Sequence, residues 1–162
     1  MLLLTYFVLA FIFSSFLEYW LHRLMHISPR FGRDIISHYS HHRKNTAQGV
    51  FLEFKDYSMA IPLTFVTFFI SVPVGISVIF GSLTYAIFSA YAHQLQHESP
   101  LKCVWLKMPV HYVHHKYNQW DCNFGLAVDW WDKLFGTYKS VDWITEEELE
   151  RPEQGYLQVK WW

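Results

Sequence analysis

A chain of 162 residues fits one domain, and 52% apolar and 20% aromatic residues against 17% charged ones are lean in charge for a soluble domain. A net charge of −1 argues against a nucleic-acid partner. Cys103 and Cys122, the two cysteines, show no C-x-x-C spacing, which argues against a disulfide framework and a cysteine-rich zinc site. The charge is also unevenly placed. All 13 Lys and Arg fall within 23–55 and 102–160, so 1–22 and 56–101 lack them and read as membrane-embedded.

Residues 1–21 carry a single charge, Glu18, and about 20 apolar residues span a bilayer core. A secretory signal peptide would need a basic start and a small-residue cleavage site, and neither is present. The stretch therefore predicts a retained transmembrane helix with Tyr19 and Trp20 at the interface. Glu18, His22 and His26 are each four apart, on one stripe at the end of that helix. Two readings of Glu18 stand side by side: a carboxylate that orients a histidine through its second ring nitrogen, or an interfacial carboxylate facing water.

From 27 to 56 the chain turns polar and basic, with Pro29 and Gly32 ending the first helix. Residues 57–92 are almost uncharged. One helix of that length would reach about 54 Å, against a hydrocarbon core of about 30 Å. Two crossings, at about 57–74 and 76–92, fit better, with a hairpin near Pro73, Gly75 or Gly81-Ser82. The expected fold is all-α: about three transmembrane helices and a histidine-rich helical cap, in a single domain over 1–162. An even number of crossings after His42 brings all the histidines to one face, and the basic flanks place that face in the cytoplasm. The acidic run Glu146, Glu147, Glu148, Glu150, Glu153 reads as a solvated surface.

All ten histidines lie in four windows. His22 and His26 form a pair at i, i+4, followed by the triplet His38, His41, His42. His93 and His97 form a second pair, followed by His111, His114, His115. The gaps from pair to triplet are 12 and 14 positions, a rough internal duplication with histidine boxes at 22–42 and 93–115. On a helix, i, i+3 and i+4 share a face, so each triplet points three imidazoles the same way. Ten imidazoles exceed the needs of one ion and suit two, each with four or five nitrogen ligands. Iron, copper, zinc and nickel all accept such ligands. A metal pair at a membrane face suits oxidation of a hydrocarbon chain.

The sequence resembles the fatty acid hydroxylase and sterol desaturase superfamily of membrane oxygenases. The matching pieces are His22-Arg23-Leu24-Met25-His26, the two triplets, Asn123-Phe124-Gly125, and Trp131-Asp132-Lys133-Leu134-Phe135-Gly136-Thr137-Tyr138, together covering about 15–140. The resemblance implies O2-dependent hydroxylation or desaturation of a lipid C–H bond. It also implies a di-iron centre, which zinc can replace in purified protein, and electrons from a ferredoxin, cytochrome or reductase. It implies eight ligands, the six triplet histidines with His22 and His26, and leaves His93 and His97 less defined. Asn123 and Asp132 are expected to brace the site, and no catalytic residue is expected beyond the metal centre. Many members have four transmembrane helices, so a homo-oligomer is one way to complete the lipid channel. The short carotenoid hydroxylases are a rival subfamily.

A membrane metal-binding or metal-transport protein is the competing class. Transporters place polar ligands near the bilayer midplane, whereas 57–92 holds no His, Asp, Glu, Lys or Arg.

Overall fold

The computed structural model describes residues 1–36, 38–152 and 154–162, so Ser37 and, from the acidic run, Glu153 lie outside the described residues. In chain order the elements are α1 (Leu2–Ile27), a π-helical turn (Arg30–Ile35), α2 (His38–Lys44), α3 (Val50–Tyr57) and a 3₁₀ helix (Ser58–Phe69). They continue with α4 (Val72–Glu98), a 3₁₀ turn (Pro100–Lys102), α5 (Val110–Lys116), α6 (Trp130–Leu134) and α7 (Glu146–Glu150). Among the described residues there is no strand. The chain is an all-α membrane protein.

Among the described residues, α1 and α4 are the two helices long and apolar enough to cross a bilayer. They run in parallel. Near its start α1 meets Gly81 of α4, where a Cβ would fall 2.3 Å from the Phe7 carbonyl oxygen, and further along Glu18 accepts from Tyr85 of α4. Small residues at such a crossing let two backbones approach closely where lipid supplies no hydrophobic drive. Leu4, Leu9 and Phe13 of α1 stay exposed, as a lipid-facing surface requires. The first histidine of each helix, His22 or His93, stands about 30 Å from the helix start, one hydrocarbon thickness. Both histidine pairs therefore emerge at the same end.

Between the two helices the chain returns through the 3₁₀ helix. Its 12 residues reach about 24 Å at the steeper 3₁₀ rise, against about 18 Å for an α-helix. The hairpin expected near Pro73, Gly75 or Gly81-Ser82 turns instead at Ile70 and Ser71. Ser71 Oγ caps Val74 N at 3.4 Å, and Pro73 sits in the first turn of α4, where its missing N–H costs nothing. Gly75 is a packing position, not a turn: a Cβ there would fall 2.6 Å from the Phe68 ring. α4 accordingly begins earlier than the expected 76 and runs unbroken through His93 and His97.

Beyond the helix ends lies the cap. Gln96, fully buried on α4, accepts from the free N–H groups of His111 (2.9 Å) and Tyr112 (3.3 Å) and so seats the first turn of α5. The carbonyls of Lys160 and Trp161 accept from Val50 N (3.0 Å) and Phe51 N (2.9 Å), capping α3 in the same way. Gly49, at φ +117°, lies against the Trp162 backbone, a conformation that L side chains rarely adopt. The acidic run corrects one expectation. Glu148 is fully buried, accepting from Tyr112 Oη and Lys116 Nζ (2.8 Å) and pairing with Arg151 Nε (3.1 Å), because the chain folds back over α5. Cys103 and Cys122 are both buried and free.

Candidate metal centre

The ten imidazoles converge on two adjoining clusters. The first gathers His22, His26, His38, His42 and His114, with ligand nitrogens all within 4.8 Å of one another. The second gathers His41, His97, His111 and His115 within the same limit, and His93 adjoins it with Nε2 3.3 Å from His41 Nε2.

The triplets do not behave as the expectation of one shared direction requires. Each is split. His38 and His42 serve the first cluster and His41 the second; His111 and His115 serve the second and His114 the first. Helix geometry supplies the reason: i and i+4 lie about 40° apart, while i+3 is about 100° from i+4. One triplet therefore covers an arc wide enough for two centres. A pseudo-symmetry results, in which each cluster takes its own half's pair and outer triplet members and borrows the other half's middle histidine. Where the clusters meet, His42 and His115 stack with centroids 4.0 Å apart and planes at 11°.

The ring nitrogens facing inward are Nε2. His26 Nε2 lies 2.9 Å from His38 Nε2, 3.1 Å from His114 Nε2, 3.2 Å from His42 Nε2 and 3.3 Å from His22 Nε2. A single nitrogen carries one proton or one lone pair and cannot pair with four others. With metal–nitrogen bonds of about 2.1 Å, ligands at 90° to 110° sit about 3.0–3.4 Å apart. The spacing is that of a coordination polyhedron. His115 has both ring nitrogens buried without a hydrogen-bond partner, a cost that a metal at its inner nitrogen removes. The donor set fits a metal ion at each cluster.

The outer nitrogens are tied down. His22 Nδ1 donates to the Phe124 carbonyl at 2.6 Å, His114 Nδ1 to the Cys122 carbonyl at 2.8 Å and His41 Nδ1 to the Thr46 carbonyl at 3.1 Å. Protonation at Nδ1 leaves the Nε2 lone pair aimed inward. Burial, reinforced by neighbouring imidazoles, pushes His41 down to about 4 and His42 to about 2, with His38, His111 and His115 also well below the usual range. His114, lowered by burial and partly restored by the Cys122 carbonyl, lies at about 4. These rings are neutral at pH 7, as ligands must be.

Asn123 and Asp132 act on the backbone that carries those acceptors. Asp132 is fully buried and accepts from Phe124 N (2.8 Å), Gly125 N (2.7 Å) and Thr137 Oγ1 (2.7 Å), which aims the Phe124 carbonyl at His22. Gly125 is required at this bend, since a Cβ would fall 2.0 Å from the Val128 carbonyl oxygen. Asn123, at φ +58°, donates to Gln119 Oε1 (2.6 Å) and the Lys139 carbonyl (2.9 Å), and accepts from Lys139 N (2.9 Å). Glu18 corrects the reading that joined it to an imidazole. Its carboxylate accepts from Tyr85 Oη (2.9 Å), Ser89 Oγ and Leu126 N (3.0 Å), so it binds α1 to α4 and to the 124–126 loop. Each step of four residues rotates a helix position by about 40°, so across the two steps Glu18 ends about 80° from His26.

Sequence reasoning missed Gln96 and Glu53. Gln96 stands between His93 and His97 in the run His93-Gln94-Leu95-Gln96-His97, where two amides in an apolar helix were the available signal. Glu53, on α3, is 5% exposed and places Oε2 3.2 Å from His93 Nδ1. Burial works to raise its carboxyl, but His93 and the Gln48 N–H outweigh that and hold it at about 2.

Aromatic rings close over the first cluster, with Trp120 edge-on to His26 at 4.4 Å and Phe124 at 5.5 Å. The second cluster borders a polar cavity of about 200 Å³ lined by Asn45, Thr46, Gln94, His97 and Glu98. On the bilayer side, Phe11, Phe88, Trp105, Val128 and Trp130 line an apolar cavity of about 390 Å³ between α1, α4 and the loop before α6.

A family model for fatty acid hydroxylase matches residues 7–137. The dihydroceramide fatty acyl 2-hydroxylase FAH2 of Arabidopsis thaliana is 26% identical over 136 residues, covering 78% of this chain and 57% of that protein. The chain thus spans little more than half the length of that relative. No solved structure matches significantly.

Proposed function

The chain belongs to the fatty acid hydroxylase family, and from that premise we propose that it is a membrane-bound, O2-dependent enzyme that hydroxylates a fatty acyl chain at a di-iron centre. The single observation that carries this reading is the convergence of two imidazole clusters at the common end of two apolar helices. The first metal would be held by His22, His26, His38, His42 and His114. The second would be held by His41, His97, His111 and His115, with His93 completing the pseudo-symmetric set. Bound iron, supplied with electrons by a ferredoxin, cytochrome or reductase, supplies activation of O2 for attack on an otherwise inert C–H bond.

The chain's own residues do the rest. Nδ1 anchors fix the tautomer and aim of the ligands, and Trp120 and Phe124 keep water from the first cluster. The cavity between α1 and α4 offers an acyl chain an apolar wall, and Phe88 precedes His93 by five residues, about 7.5 Å along α4. Lys and Arg flank the spans at the histidine end, which favours a multi-pass topology with that end in the cytoplasm. Hydroxylation is favoured over desaturation by the plant relative, a fatty acyl 2-hydroxylase.

The test is paired. Protein purified from iron-replete, zinc-poor cells in mild detergent is expected to carry two irons per chain. Lipids of a host with and without the gene are expected to differ in hydroxylated acyl chains. One iron or fewer, or an unchanged lipid profile with iron present, would sink the corresponding half of the reading.

A further inference from the structure

The two halves of the centre repeat the same pair-and-triplet pattern of histidines, and the leading members of the two pairs differ in what stands behind them. His22, the leading member of the first pair, donates Nδ1–H to a neutral backbone carbonyl, that of Phe124. His93, the leading member of the second pair, faces the Glu53 carboxylate instead. We infer that Glu53 is the positioning residue that fixes His93 as a ligand of the second metal and sets a buried carboxylate directly behind that ligand, where the first metal's counterpart has a neutral carbonyl. The inference rests on the reading of the histidines as metal ligands.

Three observations carry it. The carboxylate and the imidazole are both buried, with side chains 6% and 5% exposed, so neither is exchanging its partner for water. His93 Nε2 points the other way, 3.3 Å from His41 Nε2, so the ring bridges carboxylate and cluster in the manner of a carboxylate–histidine–metal triad. Glu53 itself is held in place. Its Oε1 accepts from Gln48 N at 3.1 Å, and the helix that carries it is capped by the Lys160 and Trp161 carbonyls. Besides His93 the anion faces the Gln48 N–H and the Tyr57 hydroxyl, neither of them charged; with His93 as a metal ligand it offsets part of a dication's charge.

The experiment measures zinc affinity of each cluster by chelator competition on the full chain in detergent, in wild type, Glu53→Gln, Glu53→Asp, His93→Ala and the double variant Glu53→Gln/His93→Ala. Glu53→Gln keeps an acceptor for Gln48 N while removing the charge. It is expected to weaken one of the two zinc ions by roughly 10–100-fold and to leave the other at its wild-type affinity, which also shows that the protein is folded. Glu53→Asp, too short to reach Nδ1, is expected to do the same. In the His93→Ala background, Glu53→Gln is expected to cost nothing further, since it acts only through that ring. Wild-type affinity at both sites in Glu53→Gln and Glu53→Asp overturns the inference, as does full additivity with His93→Ala, the mark of a merely structural role. His114→Ala separates the two claims. If it loses a zinc while Glu53→Gln does not, only the Glu53 inference fails; if wild type binds no zinc, the ligand reading fails and takes the inference with it.

Discussion

The two histidine clusters are built from the same parts and finished differently. The first is sealed by Trp120 and Phe124 and oriented by the 122–124 backbone, which Asp132 holds from behind. The second borders a polar cavity, takes its orientation from the 46–53 segment, and has a carboxylate where the first has a carbonyl. A duplicated ligand pattern therefore does not yield two equivalent sites. What surrounds the outer ring nitrogens sets the difference, and the ligand spacing alone does not contain it.

The comparison breaks most completely at the borrowed histidines. His114→Ala and His41→Ala are each expected to remove a ligand from the cluster opposite to their own triplet partners, abolishing lipid oxidation and lowering bound iron while the protein remains inserted. Normal turnover in His114→Ala would contradict the metal-oxidase reading. Acid attacks both clusters together. His41 and His114 sit near 4 in the folded protein against an ordinary value of 6.5, so below 6.5 the unfolded chain takes up protons that the folded rings refuse. Stability and metal content are expected to hold above pH 7 and to fall as the pH drops from 6.5 towards 4. A melting temperature flat across that window would count against neutral, buried ligands.

Asp132→Asn sharpens the contrast. An amide replaces one acceptor oxygen with a donor facing Phe124 N or Gly125 N, so the Phe124 carbonyl loses its aim at His22. Metal at the first cluster is expected to weaken by about 10-fold, with the second unchanged. Equal weakening of both, measured by chelator competition, would dissolve the distinction drawn here. The smallest effect is expected from Gly81→Ala, whose Cβ forces α1 from α4 at a site remote from either cluster. It should cost about 1–3 kcal/mol in thermal unfolding and leave the ratio of the two metal affinities untouched.

Much of this architecture is legible in the residues. The uncharged blocks announce membrane helices, and histidines at i, i+3 and i+4 announce helical boxes, as α2 and α5 show. The partition of each triplet between two clusters is not legible, because the 100° between i+3 and i+4 becomes a choice of centre only once the helices are docked. Glu53 sits in Phe51-Leu52-Glu53-Phe54-Lys55-Asp56, where its carboxylate reads, with Lys55 and Asp56, as the polar side of a short amphipathic helix. Its partner lies 40 positions away. Glu18 fails in the opposite sense: its spacing to His22 and His26 looks local, but the carboxylate finds Tyr85 and Ser89 across the helix interface. Glu148 stands in an acidic run, and nothing in that run marks it as the buried one among its four described members.

The capping of α3 by residues 160–161 has a consequence in time. Those residues leave the ribosome after every histidine, whereas the 122–137 segment that orients His22 and His114 emerges before them. A nascent chain with α1 and α4 already in the bilayer can therefore finish the first cluster while α3 still lacks its cap and Glu53 its seat. The seat of the carboxylate-backed cluster thus depends on residues 160–161, and that of the aromatic-sealed cluster does not.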